Sequence, residues 1–199
     1  MSLKQGREYR NINGVFSGVE SEQESSTLLL RGTPIIFDTP TCLYEWDGVK
    51  YYEIIDRHAL DESDMSDFIF NYNHSGRVYA RNRNGSLKYA IDNSGLNTDI
   101  FLDGDDEGHR QLYRDIKSAR VDKMSFSFVT REAKYDSQTR TRTVLKIKKL
   151  YDVSAVDFPA YEEAAISARS FFEEEHSKEF RALEEAHARK LLIAKTYLF

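Results

Sequence analysis

From residue 28 to residue 55, apolar and polar positions alternate or fall into short apolar runs, which predicts half-buried strands. Turns are expected there at Asp38-Thr39-Pro40 and Asp47-Gly48. Residues 7–18 alternate more weakly and are expected to pair as a first strand. Residues 56–67, polar around Ala59-Leu60, read as a short helix or turn, and residues 68–72 as a short strand leading into His74. Residues 77–81, residues 86–91 and the stretch from 96 onward follow as strands. Between them, Asn82-Arg83-Asn84-Gly85 and Asp92-Asn93-Ser94-Gly95 supply the positive-φ residues that tight turns need. The pattern predicts a meander of short antiparallel strands.

At residues 105–119 the period becomes helical, with Leu112, Ile116 and Ala119 on one face. Asp105, Asp106 and Glu107 lie at the N-terminal end of this helix, where its dipole favours them. Residues 121–130 then read as a strand carrying Met124, Phe126 and Phe128 on one face and Ser125 and Ser127 on the other. After a turn at Asp136-Ser137-Gln138, residues 141–156 form a long strand. From Ala164 onward Pro and Gly are absent and Glu, Lys, Arg, Ala and Leu dominate, which predicts a helical tail broken near His176-Ser177. Phe180, Leu183, His187 and Lys190 lie along its partly apolar stripe.

Many antiparallel strands with one inserted helix give an α+β chain built as a barrel or sandwich. The expected divisions are a partly ordered N-terminal segment over 1–26, a main domain over 27–168 and a C-terminal helical tail over 169–199. Composition changes this picture little. Over 199 residues, 40% apolar and 31% charged residues describe a soluble globular chain, and 12 Tyr and 12 Phe against 3 Pro favour packed β structure. A net charge of −5 weighs against nucleic acid as a partner. No leader and no apolar run long enough for a bilayer is seen, so a cytosolic setting without a membrane partner is expected.

The single Cys42 excludes an intramolecular disulfide and two-Cys metal sites, and reads as a buried or semi-buried spectator. Asp103-Gly104-Asp105-Asp106-Glu107-Gly108 invites a calcium-loop reading, but the twelfth position is Arg114 where such loops need a bidentate Glu. It reads as an acidic helix start, and no metal or cofactor is expected. The chain also lacks a Gly-rich phosphate cradle, a His-Glu-x-x-His pair and a Gly-x-Ser-x-Gly elbow.

What remains is a His, a Ser and a carboxylate, which can supply a base, a nucleophile and an orienting group for acyl transfer. His74 ends an apolar strand in Phe70-Asn71-Tyr72-Asn73-His74-Ser75. The other histidines, His58, His109, His176 and His187, fall in a polar connection, the helix start and the tail. Ser125 lies in Lys123-Met124-Ser125-Phe126-Ser127-Phe128, and nothing local separates it from Ser127. Asp152 and Asp157 both belong to the last long strand, Asp152 on one face with Ser154 and Val156. A carboxylate in so apolar a strand needs a partner, and an imidazole N–H would serve.

In this order the pieces resemble the prohead (capsid maturation) proteases of tailed bacteriophages, distant relatives of herpesvirus assemblin. The likeness runs from about Arg31 to Ser167. Asn73-His74 is similar to the family's Asn-His base motif. Arg77 to Leu87 and Asp92 to Leu96 resemble its meander, and Met124-Ser125-Phe126-Ser127-Phe128 its nucleophile strand. Asp152-Val153-Ser154-Ala155-Val156 through Pro159-Ala160 resembles its closing strand.

The resemblance implies a small β-barrel flanked by helices and serine endopeptidase activity on scaffold and capsid proteins, with self-cleavage as a further outcome, inside assembling proheads in the host cytoplasm. It selects Ser125 as nucleophile, since Ser127 stands where the family has Gly. It points to His74 as base and Asp152, in place of the usual Glu, as third member, and makes a homodimer or assembly-linked oligomer plausible. A non-catalytic capsid-assembly or scaffold-like protein of the same fold, and a cytosolic esterase, stay open as alternatives.

Overall fold

A computed structural model of the chain describes residues 6–21, 26–46 and 48–157, with residues 171–175, 177–178, 181, 184–186 and 189 of the tail. Among these residues ten strands share one sheet. They are β1 (Arg7–Ser21), β2 (Thr27–Ile36), β3 (Thr41–Trp46), β4 (Val49–Ile55), β5 (Ile69–Tyr72), β6 (Ser75–Arg81), β7 (Leu87–Ile91), β8 (Gly95–Asp103), β9 (Lys123–Asp136) and β10 (Thr141–Val156). The main path runs β3-β4-β10-β9-β1-β2-β8-β7. Pairing is antiparallel except where β10 meets β4 and β5.

The expected closed barrel is not found. Among the described residues no ladder joins β3 to β7, the two ends of the path. The length of β10 explains part of this: at 16 residues it serves two short strands on one edge. Thr141–Val144 pairs with β4 and Asp152–Ala155 with β5, so the β5–β6 hairpin branches from the sheet without bridging its ends.

The expected meander is also broken. β6 pairs with β5 and β7 with β8, but β6 and β7 do not pair. Asn82–Asn84 forms a 3-10 turn that ends on Gly85 at φ 80. The Asn82 side chain fastens this turn inward, accepting from Phe68 N at 2.9 Å and donating to Met65 O at 2.8 Å. A side chain committed to a neighbouring segment turns the chain out of a hairpin.

Residues 56–67 form turns and a bridge from Asp64 to Lys149, with no helix. α1 (Glu107–Lys117) starts at Asp106, whose side chain accepts from His109 N. Leu112 and Ile116 are buried as the periodicity requires. Ala119 is not: it lies past the helix end, exposed, at φ 55. Cys42, expected to be at least half buried, is exposed on β3.

Side chains from β2, β5, β7, β8, β9, β10 and α1 meet in one core that includes Leu30, Phe70, Ile100, Leu112, Phe126 and Val153. Each fully buried side chain of this kind contributes about 1.5–3 kcal/mol. In the tail, Phe172 is buried against Tyr51 and Tyr135, a docking point the sequence reading passed over. The proposed stripe of Phe180, Leu183, His187 and Lys190, and the break at His176, lie outside the described residues. No helix among the described residues is long and apolar enough to cross a membrane.

Candidate active site

The site begins with strand register. Ser125 on β9 is paired with Ser154 on β10, and Ser127 with Asp152. On the far edge of β10, Ser154 is paired with Asn71 of β5. Side chains alternate with period two, so Ser125, Ser127, Asp152 and Ser154 form a block on one face while Phe126 and Val153 enter the core on the other. All four are 0% exposed.

His74 arrives from the β5–β6 turn. Tyr72 pairs with Ser75, which leaves Asn73 and His74 as a two-residue loop with φ of 50° and 54°. Two positive φ values are the signature of the hairpin turns that match strand twist, but they cost a non-glycine residue about 1–3 kcal/mol. A clamp holds the loop in place. Asn73 N donates to Ala155 O at 2.9 Å, Asn73 Nδ2 donates to Asp157 Oδ2 at 3.0 Å, and Asp157 N donates to Asn73 Oδ1 at 3.2 Å. The Tyr72 hydroxyl also donates to Asp157.

Asp157, the other carboxylate of the last strand, therefore fastens the loop and makes no bond to the imidazole. If His74 serves as a base, Asp157→Ala is expected to lower the rate of the step it assists about tenfold through misplacement of the imidazole. Steady-state kinetics would show the loss in kcat with KM little changed, and a loss confined to KM would contradict this role.

The imidazole spans the other two groups. Nδ1 lies 2.6 Å from Asp152 Oδ1, and Nε2 lies 2.5 Å from Ser125 Oγ. An ionised carboxylate only accepts, so Nδ1 donates to it, and in the neutral tautomer this leaves Nε2 to accept from the serine. Ser125 has a second acceptor in reach, Arg10 O at 2.9 Å. The rings of Tyr9 and His74 meet steeply inclined, with centroids 4.8 Å apart and planes at 69°.

Asp152 is supplied on both oxygens. Oδ1 also accepts from Ser154 Oγ at 3.0 Å, while Oδ2 accepts from Ser127 Oγ at 2.5 Å and from the Arg7 guanidinium. Ser154 in turn bonds the Asn71 amide. Burial alone would push this carboxyl up. The hydrogen bond from His74, the charge that ring carries whenever it is protonated, the Ser127 hydroxyl and the standing charge of Arg7 outweigh burial and hold it below the usual carboxylate range.

The structure thus brings His74, Ser125 and Asp152 into one chain of hydrogen bonds, and it separates Ser125 from Ser127 by contact. His58 pairs with Asp61 at the surface, and His109 accepts from Asp103 N beside α1. Sequence reading missed Arg7, Tyr9 and Asn71. It placed Ser127 and Ser154 on the right face without a task, although alternation carried that signal. Ser127 and Asp152, the two positions where the sequence resemblance leads one to expect Gly and Glu, touch one another. Among the described residues no group of His, Cys, Asp and Glu is arranged to hold a metal ion.

A serine hydroxyl bonded to an imidazole that a buried carboxylate orients is equipped for acyl transfer. A family model described as caudovirus prohead serine protease matches residues 17–179 of the chain. Comparison with the curated proteins and with the solved structures found no match.

Proposed function

This chain belongs to the caudovirus prohead serine protease family, and on that premise we propose that it is an endopeptidase cleaving scaffold and capsid proteins, and itself, as proheads mature. The observation that carries the reading is the imidazole of His74, 2.5 Å from Ser125 Oγ on one side and 2.6 Å from Asp152 on the other.

In this mechanism Ser125 Oγ attacks the scissile carbonyl carbon as its proton passes to His74 Nε2. Asp152 stabilises the imidazolium so formed, and backbone N–H groups meet the oxyanion. The imidazolium then gives its proton to the leaving amine. Water, deprotonated by the same nitrogen, releases the acyl group and restores Ser125.

The test is intact-mass spectrometry of the protein co-expressed with its scaffold and major capsid proteins, together with a serine-directed phosphonate probe. The expected result is a set of discrete scaffold fragments and a probe adduct mapping to Ser125. Intact partners in the assembled shells, with no adduct at Ser125, would overturn the reading and favour an assembly protein without catalysis.

A further inference from the structure

We infer that Arg7 is a positioning residue for the reaction: it supplies the charge that keeps Asp152 ionised and aimed at His74 while the imidazole is still neutral. The inference rests on the roles proposed above for Ser125, His74 and Asp152. A general base must begin neutral, so His74 offers Asp152 a hydrogen bond but no charge. Asp152 is 0% exposed, and a carboxylate in such a place without a cation takes up a proton instead.

Among the described residues, Arg7 is the permanent cation that reaches it. Its Nη2 bonds Asp152 Oδ2, and its Nε and Nη2 lie 3.1 and 2.8 Å from Ser127 Oγ. The Ser127 hydroxyl donates a hydrogen bond to the same Oδ2. With Oδ2 fixed by these two donors, Oδ1 is left to face His74 Nδ1.

The guanidinium is itself held firmly. It is 16% exposed and lies 4.7 Å from the ring centroid of Tyr151 and 5.3 Å from that of Tyr9. Arg7 and Tyr9 are two apart on β1 and share the face of β1 that looks toward Ser127. The titratable and charged groups facing the His74–Asp152 pair are therefore Arg7 and Tyr9 of β1, with Tyr151 of β10 behind the guanidinium. Tyr72 and Asp157 bond each other at the turn. Arg10 and Arg142 are engaged elsewhere, with Glu8 and Glu53.

Removing the charge has a distinctive consequence. In Arg7→Met, the cation left within reach of Asp152 is the imidazolium of His74 itself. The His74–Asp152 pair then holds one more proton at neutral pH, and more alkaline solution is needed to free the base. The acid limb of the kcat/KM profile moves to higher pH, whereas loosened packing alone leaves the limb in place.

The experiment measures kcat, KM and pH profile on a peptide spanning the mapped bond for wild type, Arg7→Lys, Arg7→Met and Ser125→Ala. It adds the Nδ1–H proton resonance of His74, which needs no turnover. Arg7→Met should lose roughly 10- to 100-fold in kcat at neutral pH, the usual effect of removing a group that orients a reacting one. KM should change little, activity should recover toward alkaline pH, and Arg7→Lys should restore most of both.

An unshifted profile in Arg7→Met would overturn the inference, whether or not its kcat falls. So would an Nδ1–H resonance that is the same in Arg7→Met as in wild type across the titration, even if no substrate were cleaved. Wild type as inert as Ser125→Ala would instead refute the proposed catalytic roles.

Discussion

Ser125→Ala and His74→Ala should each slow peptide-bond cleavage on the order of 10⁴-fold or more. In the proposed mechanism Ser125 Oγ forms the bond and His74 Nε2, 2.5 Å away, takes its proton, so neither has a substitute in place. The two losses should not multiply: the double variant is expected to match the worse single one, because the groups act as one unit. Asp152→Asn belongs to the same series. Its amide keeps the size of the carboxylate but favours the wrong imidazole tautomer, and a loss of about 10⁴-fold is expected. The measurement is kcat/KM on a peptide spanning the mapped bond, with melting curves to show that each variant is folded. Near-wild-type turnover in folded Ser125→Ala would remove Ser125 from the chemistry.

How the site was legible from sequence follows from period-two geometry. Met124, Phe126 and Phe128 had to enter a core, which turned Ser125 and Ser127 to the opposite face. The same argument along residues 150–156 turned Asp152 and Ser154 together. What alternation does not carry is which strands become neighbours. Arg7 meets Asp152 because β1 pairs with β9, 120 positions away in the chain, and the weak pattern of residues 7–18 gives no sign of that partner. Strand direction is equally silent: the parallel ladders of β10 with β4 and β5 have the same alternation as antiparallel ones. The Asn82-Arg83-Asn84-Gly85 stretch misled for a different reason. Its composition suits a hairpin, but Asn82 bonds Phe68 N and Met65 O, partners a local reading does not contain. The barrel failed similarly, on the length of β10 and the branch it supports.

Glu53→Ala should destabilise the fold by about 3–5 kcal/mol, the usual result of leaving a buried cation without its partner. On the core side of β1, Glu53 and Arg10 are both 0% exposed. Glu53 accepts from Arg10 Nε at 2.5 Å and from Arg142 Nη1 at 2.8 Å. Glu8 closes the set, accepting from Arg10 Nη2 at 2.5 Å and Arg142 Nη1 at 2.6 Å. Burial pushes Glu8 up, but the charges of Arg10 and Arg142 overcome it and bring its pKa down to about 2. A folded value below the ordinary 4.5 means that this carboxylate stabilises the fold fully above about pH 4.5 and progressively less as pH falls toward 2. The contribution at neutral pH is about 3 kcal/mol, so acid denaturation should set in through that window. Removing Glu53 leaves two guanidiniums to one carboxylate, and urea midpoints should drop with the slope m unchanged. Replacing the set together, with Glu8→Gln, Arg10→Met, Glu53→Leu and Arg142→Met, should cost less than Glu53→Ala alone, because no orphan charge remains. A larger cost would mean that the ions stabilise by attraction beyond their desolvation. The cluster also adjoins the proposed nucleophile, since the carbonyl of Arg10 lies 2.9 Å from Ser125 Oγ as an alternative acceptor for its proton. Glu53 and Glu8 anchor the Arg10 side chain on one face of β1 while its backbone meets Ser125, so on the proposed mechanism freeing the guanidinium should reduce kcat in molecules that are still folded.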